Sequence, residues 1–163
     1  MATMNRNLLG IYLNDHAAGA IAGREVVKRS LQNNPDGPLG TFLRSLLGDI
    51  EEDRQTLQRL MERLGVPMSP VKPTLAWAAE KVGRLKFNGR LVGYSPLSRL
   101  EELEFLSLGV EGKLLLWRCL ESVSSAEMRL AGFDFATLIK RAEVQREELE
   151  RFRLEAAVDA FES

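Results

Sequence analysis

Four long stretches of this chain repeat apolar residues at intervals of three and four, and strand-type alternation is almost absent. That period puts one apolar stripe on each of four helices, which constrains the fold more than any other feature. The first stretch covers about residues 5–33, with Leu9, Leu13, Ala20, Val27 and Leu31 along one stripe, and the turn residues Asn33 to Pro38 stop it. The second covers about 39–64 through Leu43, Leu46, Ile50, Leu57, Leu60 and Leu64, with Gly65 placed as a C-terminal cap. The third begins near Pro96, where Ser95 supplies an N-cap hydroxyl, and runs to about Val123. The fourth starts after Gly132, is capped by Asp134, and carries Leu138, Ala142, Leu149, Phe152 and Ala156.

A chain of 163 residues, 45% hydrophobic and 28% charged, has the length for one domain with a sizeable core. We read residues 1–163 as a single all-α helical-bundle domain. Each helix is about 36–44 Å long at 1.5 Å per residue, and four matched stripes bury one another in a bundle. The short first turn makes helices one and two antiparallel neighbours. The 31 residues from Gly65 to Ser95 hold Leu75, Ala78, Ala79, Val82 and Leu85, enough for a short additional helix starting near Pro73. That segment has the reach to run the length of the bundle, leaving helices two and three parallel. An up-and-down bundle with an extra short helix is the alternative.

Several polar residues fall on or beside the apolar stripes: Asp15 and His16, Asp53 and Arg54, Glu104 and Glu111, Gln145 and Arg146. With a crossover connection, the height of Asp15 and His16 corresponds to positions 54–55, 113–114 and 143–144 on the other helices. A single polar belt of Asp15, His16, Asp53, Arg54, Glu111, Gln145 and Arg146 is therefore the candidate site. Its leading reading is a salt-bridged layer that sets helix register, with Arg54 or Arg146 between carboxylates where a metal would otherwise sit. The alternative is a single-ion site of Asp15, His16, Asp53 and Glu111. Proton transfer between Asp15 and His16 is disfavoured, because adjacent helical residues diverge by about 100°.

Carboxylates at mid-height on four such helices resemble the ferritin-like superfamily, which implies a crossover bundle and, in its di-iron members, a Glu from each of two helices and Glu-x-x-His from each of the others. This chain has one histidine, His16, preceded three positions earlier by Leu13. The pair of Glu-x-x-His motifs is missing, so neither a metal nor a cofactor is expected. The segments Leu13-Asn14-Asp15-His16-Ala17-Ala18-Gly19, Asn88-Gly89-Arg90-Leu91 and Gly109-Val110-Glu111-Gly112-Lys113 also resemble uncharacterised bacterial helical proteins, which implies a bacterial origin.

Residues 72–99 contain six basic residues against one acid, with Trp77, Phe87 and Tyr94 among them. Lys81, Arg84, Lys86 and Arg90 are the candidate anion-binding surface. Neutralisation by Asp49 to Asp53 or by Glu101, Glu102 and Glu104 is the competing and preferred reading, so nucleic-acid binding is not expected. The net charge of −1 excludes a globally basic binder. A lone Cys119 permits no internal disulfide, no apolar run approaches the roughly 20 residues of a membrane span, and the apolar run at Leu8 to Leu13 is interrupted by Asn14 to His16. A cytoplasmic protein without membrane insertion is the expectation. No catalytic residue is assigned. A structural or interaction role, served by homo-oligomerisation or a protein partner, leads over a divergent metal-binding or redox protein.

Overall fold

The computed structural model describes residues 5–69 and 93–162. Helix α1 spans Arg6–Asn33 and α2 spans Gly37–Leu64. Helix α3 spans Pro96–Ser124 and α4 spans Phe135–Phe161, with a 3₁₀ turn at Met128–Leu130 between them. No strand occurs among the described residues. The fold is all-helical, as the periodicity requires. The short helix expected near Pro73 lies outside the described residues, as do Lys81, Arg84, Lys86 and Arg90.

Each helix starts where a side chain or a proline relieves the unpaired first turn. Asn5 Oδ1 accepts from Leu8 N (3.2 Å), Ser95 Oγ from Ser98 N (3.1 Å) and Asp134 Oδ1 from Thr137 N (3.0 Å). Helix α2 begins two residues before the expected boundary, because Gly37 takes φ +69° and brings Pro38 into the first turn. It ends at Gly65, again at φ +69°, where Gly65 N and Val66 N reach back to Glu62 O and Met61 O. The 3₁₀ turn was not legible in the sequence. It presents Arg129, whose Nη1 donates to Leu64 O (3.0 Å) and satisfies one carbonyl at the end of α2.

Contacts between the helix ends set the topology. At one end of the bundle Asn34 Nδ2, just past α1, donates to the Tyr94 hydroxyl (2.9 Å), just before α3. At the other end α2 meets the α3–α4 turn through Leu64 and Arg129. Helices α1 and α4 therefore run one way and α2 and α3 the other. The packed neighbours are α1 with α2 and α3, and α4 with α3 and α2, so every neighbouring pair is antiparallel. The stretches 65–69 and 93–95 lie at opposite ends, which is the crossover arrangement rather than the up-and-down one.

The core falls into two apolar clusters. One gathers Val27, Leu43, Leu46, Leu103, Leu106 and Leu149; the other gathers Leu13, Leu57, Leu60, Trp117, Leu120 and Leu130. On α2 the boundary passes between Ile50 and Leu57, and on α3 between Leu114 and Leu116. Charged side chains occupy that boundary.

Candidate functional site

Asp53 stands one turn beyond Ile50 and one turn before Leu57, so the stripe of α2 carries it inward. Lys113 holds the same relation to Val110 and Trp117 on α3, and Gln145 lies between Ala142 and Leu149 on α4. The three meet across the bundle. Lys113 Nζ donates to Asp53 Oδ2 at 2.6 Å and to Gln145 Oε1 at 2.5 Å. Arg141, one turn before Gln145, donates through Nη2 to the other Asp53 oxygen and through Nη1 to Glu52 Oε2 (2.8 Å). Gln145 Nε2 donates to Asp49 Oδ2 at 2.8 Å. The side chains of Lys113 and Asp53 are only 14% and 6% exposed.

Burial pushes the Lys113 ammonium below its usual value, and Asp53 works against that shift. Burial also opposes the charge of Arg141, but Asp53, Glu52 and Asp49 outweigh it and hold the guanidinium above its ordinary range. Three carboxylates thus face two cations in a network whose amide, Gln145, both accepts and donates. Such a layer is tolerated in the interior because each buried ion faces oppositely charged or amide partners. No three His, Cys, Asp or Glu side chains among the described residues are placed to hold a metal ion.

The structure splits the expected belt. Asp53 and Gln145 belong to the buried layer, and the other five members lie elsewhere. Asp15 is exposed. His16 is half-buried with its ring edge-on to Tyr12 (centroids 4.6 Å apart), and burial lowers its pKa against the pull of Asp15. Arg54 does not bridge helices at the layer. It lies about 100° around α2 from Asp53 and pairs with Glu51 at 3.0 Å, in a shallow cleft of about 80 Å³ bordered by Ala17, Ile21 and Met68. Glu111 and Arg146 pair with each other at 3.0 Å, but on the outside of the α3–α4 groove. The four-residue ion site of Asp15, His16, Asp53 and Glu111 is therefore not assembled.

Lys113 and Arg141 are the functional members that the sequence reading missed. Lys113 carried a signal, since it sits between Val110 and Trp117 of its own stripe, whereas Arg141 lies at the edge of the α4 stripe, one turn after Leu138 and one turn before Gln145. A second buried cluster was also missed. Glu102 is fully buried at the α1–α3 contact, where Arg29 Nε approaches Oε1 at 2.9 Å and the Tyr94 hydroxyl donates to Oε2 at 2.8 Å. Burial raises the Glu102 pKa, with Tyr94, Arg29 and Ser30 opposing the shift. Tyr94 is pushed up to about 12 by burial and by the neighbouring carboxylate.

Other acids expected to neutralise the basic segment 72–99 have partners on the helices: Glu51 with Arg54 and Arg24, Glu52 with Arg141, and Glu104 with Arg153. No protein-family model, curated protein or solved structure matches this chain. No helix among the described residues is long and apolar enough to cross a membrane.

Proposed function

We propose that this chain is a non-enzymatic structural or interaction protein, built as a ferritin-like bundle in which an internal ion layer stands where di-iron relatives hold metal. The observation that carries the reading is Lys113. Its ammonium lies at mid-bundle between Asp53 and Gln145, while Arg141 takes the second Asp53 oxygen. An amine cation fixed on the one fully inward carboxylate of the layer leaves that carboxylate no free oxygen for a metal. The helix directions, with α2 and α3 parallel, are those expected of the ferritin-like arrangement. A bacterial, cytoplasmic setting and the absence of nucleic-acid binding belong to the same proposal, supported by the lone cysteine, the balanced charge and the bacterial resemblance.

Elemental analysis of protein purified without chelator tests this reading. Substoichiometric iron, manganese and zinc are expected. Near-unit metal that is lost on Asp53→Asn would overturn it.

A further inference from the structure

The cleft between α1 and α2 combines an apolar lining with a guanidinium that is only partly used. Ala17, Leu57 and Met61 are buried and form its floor. Met68, from the stretch that follows α2, adds a wall, and Arg54 and Gln55 line its solvent side. The spacing accounts for this arrangement. Positions 54, 57 and 61 recur at three and four along one flank of α2, and 17 and 21 along one flank of α1. The single methyl of Ala17 leaves space that a longer side chain would fill.

Asn14 holds the Met68 wall in place. Its Nδ2 donates to Pro67 O (3.1 Å) and its Oδ1 accepts from Ser69 N (2.7 Å). One amide side chain thus fixes the backbone on both sides of Met68, which is itself 49% exposed. Hydrogen bonds rather than burial position this wall, so the cleft is preorganised.

The charges select an anion. Glu51 Oε2 takes both Arg54 Nη1 and Arg24 Nε, each at 3.0 Å. Arg24 also pairs with Glu25, which pairs in turn with Lys28. Arg24, Lys28 and Arg54 therefore face Glu25 and Glu51, which leaves one positive charge in excess. Arg54 commits only Nη1 to Glu51. Its side-on edge, Nε with Nη2, donates to no described residue. That edge presents two parallel N–H groups, the geometry that matches the two oxygens of a carboxylate.

The lining sets the rest of the ligand. An inorganic anion would lose water against Leu57, Met61 and Met68 without compensation, whereas an alkyl chain gains from the same contact. The volume of about 80 Å³ is roughly half that of a cavity that accepts benzene, which limits the enclosed chain to about three carbons.

We infer that the α1–α2 cleft at Arg54 is a binding site for a short-chain monocarboxylate, with its carboxylate on the side-on edge of Arg54 and its alkyl chain against Leu57, Met61 and Met68. The site goes beyond the structural role proposed above and does not depend on it. Metal content tests the ion layer and ligand titration tests the cleft, so the two fail separately.

Sodium butyrate is the probe, titrated into the full, isotopically labelled chain and followed by amide and methyl chemical shifts. Saturable shifts are expected at Arg54 and Gln55 and at the Met61 and Met68 methyl groups. A ligand of about six non-hydrogen atoms should give a dissociation constant of about millimolar order. Arg54→Gln should raise that constant at least about tenfold, and Met68→Ala about threefold. Both variants should unfold close to the wild type, because Arg54 forms only a partly exposed pair and Met68 is half exposed. Butylamine, with the same chain and the opposite charge, should produce no saturable shift, and inorganic phosphate should bind at least about tenfold more weakly than butyrate. Phosphate binding as tight as butyrate would mean an adventitious ion only and would overturn the inference. So would butyrate binding that Arg54→Gln leaves unchanged, or the lack of saturable shifts at the cleft up to about 50 mM butyrate.

Discussion

The bundle buries charge in two places, and it does so with opposite signs. At mid-height the deeply placed cation is Lys113, surrounded by the acceptors Asp53 and Gln145. At the α1–α3 end the deeply placed group is an anion, Glu102, surrounded by the donors Tyr94 and Arg29. The first joins three helices through two cations and three carboxylates. The second joins two helices around one carboxylate, and its hydroxyl donor is Tyr94, two residues before the start of α3. Removing a partner therefore has different consequences: at mid-height it leaves charge stranded between two apolar clusters, whereas at the end Arg29 retains access to solvent.

The largest effect should come from Lys113→Ala. Asp53 would keep Arg141 but lose its second cation, and Gln145 Oε1 would lose its donor. Breaking a buried pair in this way costs about 3–5 kcal/mol. Denaturant unfolding should show a loss of that size, partly recovered by adding Asp53→Asn. A loss below about 1 kcal/mol would rank the layer beneath the end cluster and break the comparison.

Tyr94→Phe should cost less, about 1.5–3 kcal/mol, the range for a hydrogen bond to a charged acceptor. The same unfolding measurement checks it. A cost equal to that of Lys113→Ala would show that the end cluster contributes as much as the layer.

The two sites should also differ in pH dependence. Because the folded-state pKa of Glu102 is raised from 4.5, the native chain holds that proton longer than the unfolded chain. Stability from Glu102 is then complete below about pH 4.5 and is lost as pH rises through the folded pKa. For Lys113, lowered from 10.5, the unfolded chain holds the proton longer. Its contribution is complete above about pH 10.5 and is lost as pH falls through the folded pKa. Unfolding curves of wild type and Glu102→Gln across pH 4 to 8 should converge in acid and separate in favour of the variant as pH rises. Parallel curves would remove the assigned sign.

The smallest effect should belong to Arg54→Ala. The sequence alone assigns Arg54 to the belt and implies a large loss. In the structure it forms a partly exposed pair with Glu51 on its own helix, with side-chain exposures of 28% and 41%. Such pairs are worth roughly 0–1 kcal/mol. Thermal or denaturant unfolding that showed a loss above 2 kcal/mol would return Arg54 to the layer.

These residues mark how far the sequence was readable. Helix ends were legible because they depend on local chemistry: Ser95 and Asp134 cap, Gly65 terminates, and the structure follows within a residue or two. Asp53 and Gln145 were legible because their spacing from Ile50, Leu57, Ala142 and Leu149 aims them inward. Lys113 was half legible. The height comparison for a crossover topology points to positions 113–114, but weighting carboxylates as ligands moves the expectation to Glu111, which lies about 200° around the helix. A long aliphatic stem also lets lysine carry its charge into a core from the edge of a stripe. Glu102 was hidden for a different reason. Which flank of α3 meets α1 depends on bundle order, and local periodicity contains no information about that.

The ion layer also bears on how the chain assembles. Helices α1 and α2 are joined by a short turn, and α3 and α4 by the ten residues that hold the 3₁₀ turn, so each pair closes through local contacts. The layer instead links Asp53 to Lys113 and Arg141, 60 and 88 positions away, and Asp49 to Gln145, 96 away. Long-range contacts are formed only after substantial loop entropy has been lost, which favours their late appearance in folding. Two preformed hairpins that dock one turn out of step would still bury leucine against leucine, because the apolar stripes are degenerate under such a slip. They would not return Asp53 to Lys113. The layer's hydrogen bonds are thus satisfied only in the native register, and its removal should widen the set of compact, misregistered states.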